Sequence, residues 1–183
     1  HKLYQEKKGV VTYKDRYDHD RKVAKMRFDE YIPHIAAKGN GLDVGSSNSA
    51  FVHEGRDRGY YTWGLEPGQN IGDDSVTLRG TLETVDVAKD HFNFVTMHDS
   101  IEHMTDVNFA LDKVYESLQD NGVLILDLPD YFVPAGRHHW KYIEHLWFFT
   151  KEQMVSILEK HNFEVFNITE PIPGKLVFYS RKK

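Results

Sequence analysis

The 183-residue sequence contains no cysteine. Disulfide bridges, thiolate zinc centres and a cysteine nucleophile are therefore excluded, and any metal would have to be held by histidine and carboxylate ligands. Long apolar runs are missing as well. The stretch from Val123 to Leu126 is far short of the roughly 20 residues that cross a bilayer, so no membrane partner is expected. Positive charge is in deficit, with 23 Lys and Arg against 28 Asp and Glu and a formal net charge of −5. A phosphate backbone is gripped by clustered cations, so a small molecule is the expected partner and nucleic acid is not. The polar opening His1-Lys2-Leu3-Tyr4-Gln5 does not read as a secretory leader, and the cytoplasm is the expected compartment.

At 40% hydrophobic and 13% aromatic residues the composition is that of a folded chain, and the length suits one domain around one core. Histidine is in surplus at 11 residues, several of them clustered. Residues 1–20 are polar and carry Tyr4, Tyr13 and Tyr17, which reads as an N-terminal arm; residues 21–183 read as a single domain.

Val23, Met26, Phe28, Tyr31, Ile32 and Ile35 take a helical spacing, and Gly39-Asn40-Gly41 ends that helix. Leu42-Asp43-Val44 is a short strand running into Gly45-Ser46-Ser47-Asn48-Ser49. Ala50 to Arg58 reads as a brief helix, and Tyr60 to Leu65 as a strand stopped by Glu66-Pro67-Gly68, which completes a β-α-β unit. Ser75 to Leu78 and Phe92 to Met97 are further strands. From Asp106 onward Ala110, Leu111, Val114, Tyr115 and Leu118 keep a helical period until Asp120-Asn121-Gly122. Val123 to Leu128 is the nearly continuous apolar run expected of a central parallel strand. Pro129 to Phe149 is a long loop. Thr150 to Gln153 fits a capping box, Met154, Ile157 and Leu158 give the next helix its buried face, and Asn162 suits a left-handed stop. Phe163 to Ile168 and Leu176 to Ser180 close the chain with spacing that allows an antiparallel hairpin.

Alternating strands and helices imply a doubly wound α/β sheet, whose ligand lies beyond the carboxyl ends of the strands beside the first one. Gly45 permits a tight reversal there, and the small Ser46, Ser47 and Ser49 let a ligand approach the backbone N–H groups at the helix start. The dinucleotide pattern G-x-G-x-x-G is not met, because Ser47 stands at its second glycine. Glu66 lies 21 residues after Gly45 at the end of the next strand, where an acid can accept both hydroxyls of an adenosine ribose. An exposed turn carboxylate before Pro67-Gly68 is the alternative.

The order of these segments resembles the class I S-adenosylmethionine-dependent methyltransferases, and within them the small-molecule enzymes related to ubiquinone biosynthesis and sugar modification. Leu42-Asp43-Val44-Gly45-Ser46-Ser47-Asn48-Ser49 looks like their first motif, with serine at two of its usual glycines. Gly64-Leu65-Glu66-Pro67 is similar to the second motif, and Gly80-Thr81-Leu82-Glu83 resembles the segment beside adenine. The nearest likeness is Phe94 to Asp106, the signature after the fourth strand. Asp120-Asn121-Gly122 stands in for a Pro-Gly-Gly turn, and His145-Leu146-Trp147-Phe148-Phe149-Thr150 resembles the C-terminal pattern.

The resemblance implies a Rossmann-like, three-layer domain with a seven-stranded, mostly parallel sheet, a C-terminal antiparallel hairpin, and S-adenosylmethionine as cofactor. It implies that Asp43, Gly45, Ser46, Ser47 and Asn48 hold the methionine portion, Glu66 the ribose, and Thr81 and Leu82 the adenine, with His98, Asp99 and Ser100 also touching the cofactor. Methyl transfer needs aligned reactants and excluded water but no metal, and none is expected. A weak hydroxyl nucleophile needs a general base. His98, Asp99 and His103 follow the fourth strand and His138, His139 and His145 the fifth, so the fold is expected to bring both groups to one rim. His138 or His139 is the first candidate base and His103 the next, while His103 and His145 also match residues that pack and hydrogen-bond. Trp140, Tyr142 and Trp147 read as an aromatic substrate wall or as core, and the N-terminal tyrosines as a lid or a tail.

The expected activity is methylation of a sugar or metabolite hydroxyl. The acceptor cap is small, so a homodimer, a carrier-bound substrate or a glycan end would complete the pocket. Two rival readings are a catalytically silent S-adenosylmethionine-binding module and an NAD-dependent oxidoreductase; Ser47 and the late hairpin speak against the second.

Overall fold

The computed structural model describes residues 16–69, 72–141 and 143–183. Helix α1 spans Tyr17–Tyr31, so residues 17–20 of the expected arm are helical. Residues 1–15 of that arm, with Tyr4 and Tyr13, lie outside the described residues. The buried stripe of α1 is Ala24, Phe28 and Tyr31, spaced i, i+4, i+7. Met26 and Ile32, counted in the apolar spacing, instead face solvent at 71% and 39% exposure. Pro33 has no N–H to continue the ladder. The chain tightens into a 3-10 turn at Ile32–His34, and the helix ends before Gly39.

The elements that follow are β1 (Asn40–Val44), α2 (Ala50–Asp57), β2 (Tyr61–Glu66), β3 (Thr77–Arg79) and β4 (Phe92–His98). After them come α3 (Val107–Ser117), β5 (Leu118–Pro129), α4 (Lys151–Lys160), β6 (Phe163–Thr169) and β7 (Lys175–Lys182). Among the described residues the strands form one seven-stranded sheet in the order β3-β2-β1-β4-β5-β7-β6. The pairs among β1 to β5 are parallel, and β7 runs antiparallel to both β5 and β6. The expected hairpin thus exists, but its second strand slots between β5 and β6.

β5 is longer than its apolar run. The helix expected through Leu118 ends at Ser117, and the register jumps from Phe92 opposite Leu118 to Phe94 opposite Val123. Asp120-Asn121-Gly122 makes this bulge, with Asn121 in left-handed backbone at φ 62°.

Strand alternation sorts the core into two layers. Leu42, Val44, Val95, Met97, Leu124 and Leu126 pack with α3 and α4 through Ala110, Leu111, Val114, Met154 and Leu158. Phe94, Val123, Ile125, Val177 and Tyr179 face the other way, onto Ala24, Phe28 and Tyr31 of α1 and Phe51 of α2. This is the three-layer arrangement implied by the resemblance. Asn162 takes the left-handed backbone expected of it, at φ 63°. The capping box forms as the sequence predicts, with Thr150 Oγ1 accepting from Gln153 N–H at 3.2 Å and Gln153 Oε1 accepting from Thr150 N–H at 2.9 Å. Loss of such a cap removes about 1 kcal/mol. Thr150→Ala is expected to lower the unfolding free energy by that amount in urea titration, with an unchanged denaturant slope.

Candidate active site

The same alternation puts polar groups on the α1 face at the carboxyl ends of the central strands. Asp43, 4% exposed, ends in a carboxylate whose Oδ1 accepts from Thr96 Oγ1 at 2.8 Å and lies 3.1 Å from His98 Nδ1. His98 Nε2 in turn lies 3.2 Å from the Tyr31 hydroxyl. Burial pushes that phenol well above its ordinary range, so it remains a neutral hydroxyl.

Beside this chain, His98 pairs in register with Asp127 of β5. Arg27 Nη2 of α1 donates to Asp127 Oδ2 at 2.5 Å, and Lys175 Nζ of β7 stands 2.8 Å from Asp127 Oδ1. Lys175 also pairs with Asp99. Burial by itself would raise the Asp127 carboxyl, but Arg27 and Lys175 hold it below its usual value. Burial likewise disfavours the Lys175 ammonium, and Asp127 and Asp99 reverse that and raise it. Asp99 sits in left-handed backbone at φ 47°, and its N–H donates to Asp127 O at 2.9 Å.

The turn after β1 is shaped by lack of space. Gly45 has φ 81°, and a Cβ there would lie 2.3 Å from Ser100 Oγ. Gly45 and Ser46 N–H both donate to Leu65 O. Ser47 and Ser49 hold left-handed backbone at φ 49° and 63°, which L-residues rarely adopt. Hydrogen bonds stabilise both. Ser47 N–H donates to Glu66 Oε2 at 2.9 Å, and Ser49 Oγ lies 2.8 Å from Thr77 Oγ1 while accepting from Asp73 N–H. Glu66, 5% exposed, also accepts from Gly68 N–H through Oε1 at 2.7 Å. The exposed-turn alternative for Glu66 therefore fails, because the carboxylate is buried under the turn.

A cavity of about 190 Å³ opens here, walled by Asp43, the Gly45 to Asn48 turn, His98, Asp99 and the α1 residues Asp20, Ala24 and Arg27. The Ser46 hydroxyl is buried in its wall without a hydrogen-bond partner among the described residues. A larger cavity of about 370 Å³, with Asn93, Asp120 and Arg181 in its wall, lies at the amino ends of β4 and β5, away from where a doubly wound sheet binds its ligand. Ser100 Oγ donates to His98 O and buttresses the turn behind Gly45. Thr81 is bonded to Thr84, and Leu82 belongs to the core; neither reaches the cavity wall.

The two histidine groups meet in part. His103 Nδ1 donates to Glu144 O at 2.7 Å, and its ring stands 4.7 Å from that of His145 at 86°. His145 is buried, with Nδ1 2.8 Å from the Tyr131 hydroxyl. Burial, and next the His103 charge, push His145 down to about 4. His138 and His139 lie on a 3-10 turn (Pro134–His139) with ring centroids 3.9 Å apart. His139 is lowered by burial, then by His138 and Lys175, against the field of Asp99. The Trp140 indole donates to Tyr131 O and the Trp147 indole to Met104 O; Tyr142 lies outside the described residues. Tyr17 is helical, with its hydroxyl 2.6 Å from His53 Nδ1. Five residues of this region were missed from sequence: Arg27, Tyr31, Glu102, Asp127 and Lys175. Only Tyr31, at an apolar helical position, and Asp127, inside the apolar run of β5, carried a legible signal, a polar group at a position read as interior. Among the described residues no helix is long and apolar enough to cross a membrane.

A family model for the methyltransferase domain matches residues 16–168. No curated protein sequence matches significantly. Among solved structures, a SAM-dependent methyltransferase from Thermotoga maritima is 20% identical, with 92% of this chain and 94% of that one aligned at a TM-score of 0.71. An S-adenosylmethionine-dependent methyltransferase from Mesorhizobium loti is 16% identical over 90% and 99% of the two chains, with a TM-score of 0.70. The 1,6-didemethyltoxoflavin-N1-methyltransferase of Burkholderia thailandensis, solved with its substrate and S-adenosylhomocysteine, is 14% identical over 93% and 85%, with a TM-score of 0.73.

Removing one partner of a buried ion pair leaves the other charge uncompensated, at a cost of about 3–5 kcal/mol. Lys175→Met removes one of the two cations on Asp127 and leaves Arg27 in place, so the expected destabilisation in urea unfolding is smaller, about 1–3 kcal/mol; the half-exposed Asp99 contributes little.

Proposed function

The chain belongs to the methyltransferase domain family, and on that premise we propose that it methylates a small-molecule acceptor, with a hydroxyl of a sugar or other metabolite as the nucleophile. Its methyl donor is S-adenosylmethionine. When bound, that cofactor supplies an electrophilic methyl group on a sulfonium.

The observation that supports the reading is the turn at Gly45. A cavity walled by Asp43, the Gly45 to Asn48 turn and Arg27 opens at the carboxyl end of β1, with the buried Ser46 hydroxyl in its wall left without a hydrogen-bond partner among the described residues. These residues fit the cofactor. Asp43, Gly45, Ser46, Ser47 and Asn48 would hold its methionine portion. Glu66 uses two acceptor positions on Ser47 and Gly68 N–H; a carboxylate offers about four, which leaves two for ribose hydroxyls. Thr81 and Leu82 would lie at the adenine, and His98 and Asp99 in the wall touching the cofactor, with Ser100 supporting that wall from behind Gly45. Asp43 fixes the His98 ring from Nδ1 and Tyr31 from Nε2, so that wall is rigid before anything binds.

The base is proposed to be His139, with His138 and His103 as the alternatives. His139 is half-buried and held below its ordinary pKa of 6.5, which keeps the imidazole neutral and able to take a hydroxyl proton at neutral pH. His138 is the more exposed of the pair. The aromatic side chains Trp140 and Trp147 would wall the acceptor side, and a glycan end, a carrier-bound substrate or a second copy of the chain would complete it. The N-terminal arm up to residue 20 is proposed to cover the cofactor, and the cytoplasm remains the proposed compartment.

Glu66→Ala is expected to weaken S-adenosylhomocysteine binding by about 1–3 kcal/mol, the usual loss for hydrogen bonds to a charged group. Calorimetric titration reads this, and an unchanged affinity removes Glu66 from the ribose. His139→Ala is expected to lower kcat while sparing cofactor affinity. With His139 as base, kcat/KM falls as pH drops through its depressed pKa, below 6.5, and that acid limb disappears in the variant. Methyl transfer assayed across hydroxyl, phenol, amine and carboxylate panels tests the acceptor; turnover confined to amines would overturn the oxygen reading.

A further inference from the structure

We propose that Glu102, His103 and His145 form a binding site for one divalent transition-metal cation of the zinc type, outside the methyl-donor cavity. Each residue offers a ligand atom, and the three atoms all lie within 4.8 Å of one another. Tetrahedral zinc holds its ligands about 2.0–2.2 Å away and therefore about 3.3–3.6 Å from each other. The widest pair needs to close by up to about 1.2–1.5 Å, a movement shared among the three side chains.

An independent observation points to a ligand. Glu102 is 0% exposed, and neither carboxylate oxygen has a hydrogen-bond partner among the described residues. A buried carboxylate is costly unless it is paired, coordinated to a metal or neutralised. The nearby cation Lys175 is otherwise engaged with Asp127 and Asp99, and two imidazoles lie beside Glu102.

The imidazoles are prepared as ligands. His103 Nδ1 is bonded to Glu144 O and His145 Nδ1 to the Tyr131 hydroxyl. Metal-bound histidines characteristically use one ring nitrogen on the cation and donate the other N–H to such an outer partner, which fixes the ring. Here that leaves Nε2 of both rings for the metal. Backbone bonds hold the parts together. Glu102 O accepts from Leu146 N–H at 2.8 Å and Trp147 N–H at 3.3 Å, pinning the loop that carries His145 against the turn that carries Glu102 and His103. A cation would therefore fasten the loop after β5 to the turn after β4. Two imidazoles and one carboxylate suit zinc and its neighbours better than calcium or magnesium, which prefer all-oxygen shells. Three protein ligands leave a fourth position for water or another ligand.

The test uses the full chain, stripped with EDTA and titrated with zinc by calorimetry and with cobalt by visible absorption, without methyl donor, so that its outcome is independent of the proposed reaction. One equivalent is expected to bind, with d–d bands for cobalt. Saturating zinc should raise Tm by roughly 5–10 °C. His103→Ala and His145→Ala should each weaken binding more than about tenfold, and Tyr131→Phe by about tenfold through the outer partner. The exposed His91→Ala should leave binding unchanged. Circular dichroism checks each fold; because His103 is exposed, its replacement remains decisive even where His145→Ala is damaged. Uptake well below one equivalent, or binding no weaker in His103→Ala than in His91→Ala, overturns the site and leaves Glu102 a protonated buried acid.

Discussion

The carboxylate of Asp127 is the point on which this architecture turns. It sits near the end of a central strand, 4% exposed, and two cations from distant parts of the chain converge on it. Arg27 brings α1 down over the sheet; Lys175 locks β7 against β5. Lys175 reaches Asp99 as well, and the Asp99 N–H rests on the Asp127 carbonyl. The α1 residues Asp20, Ala24 and Arg27 form one wall of the cavity at the carboxyl end of β1, and Asp99 forms another. Both are thus positioned by one buried anion. Such a cluster earns little net stability over an apolar core, since desolvation offsets most of its attraction. Its effect is geometric: the helix, the antiparallel strand and the turn can meet this carboxylate in one arrangement.

The turn after β1 tolerates serine at two left-handed positions through bonds of its own. The backbone strain at Ser47 and Ser49 is offset by the carboxylate of Glu66 below and the hydroxyl of Thr77 beside it, so the turn keeps its shape without glycine. The residue that orders Ser47 is also the one proposed to bind ribose, a role that would couple cofactor affinity to the conformation of the turn.

The histidine surplus divides by environment. His98 belongs to a buried relay between Asp43 and Tyr31. His161 caps the end of α4, bonded to Asp112 and Asn108. His103 and His145 meet edge to face beside the buried Glu102 carboxylate, while His138 and His139 lie tilted against each other on a 3-10 turn. A histidine count therefore says little until burial and partners are known, because the same imidazole is a hydrogen-bonding strut, a ligand or a base according to what touches its two nitrogens.

Features carried by neighbouring residues were legible in the sequence: the β-α-β unit, the Gly45 turn, the Thr150 capping box, the left-handed stop at Asn162, and the burial-prone strands. Each depends on periodicity or on a side chain bonding its own backbone a few residues away. The order of motifs was legible too, and with it the family. The tertiary structure decided the rest: which apolar residues of α1 face inward, the bulge at Asn121, the insertion of β7 between β5 and β6, and the charge cluster at Asp127. The Arg27–Asp127 bond spans 100 positions and the Lys175–Asp99 pair 76. At such separations no local pattern pairs one charge with another; the sheet order does, by bringing the ends of β4, β5 and β7 side by side beneath α1.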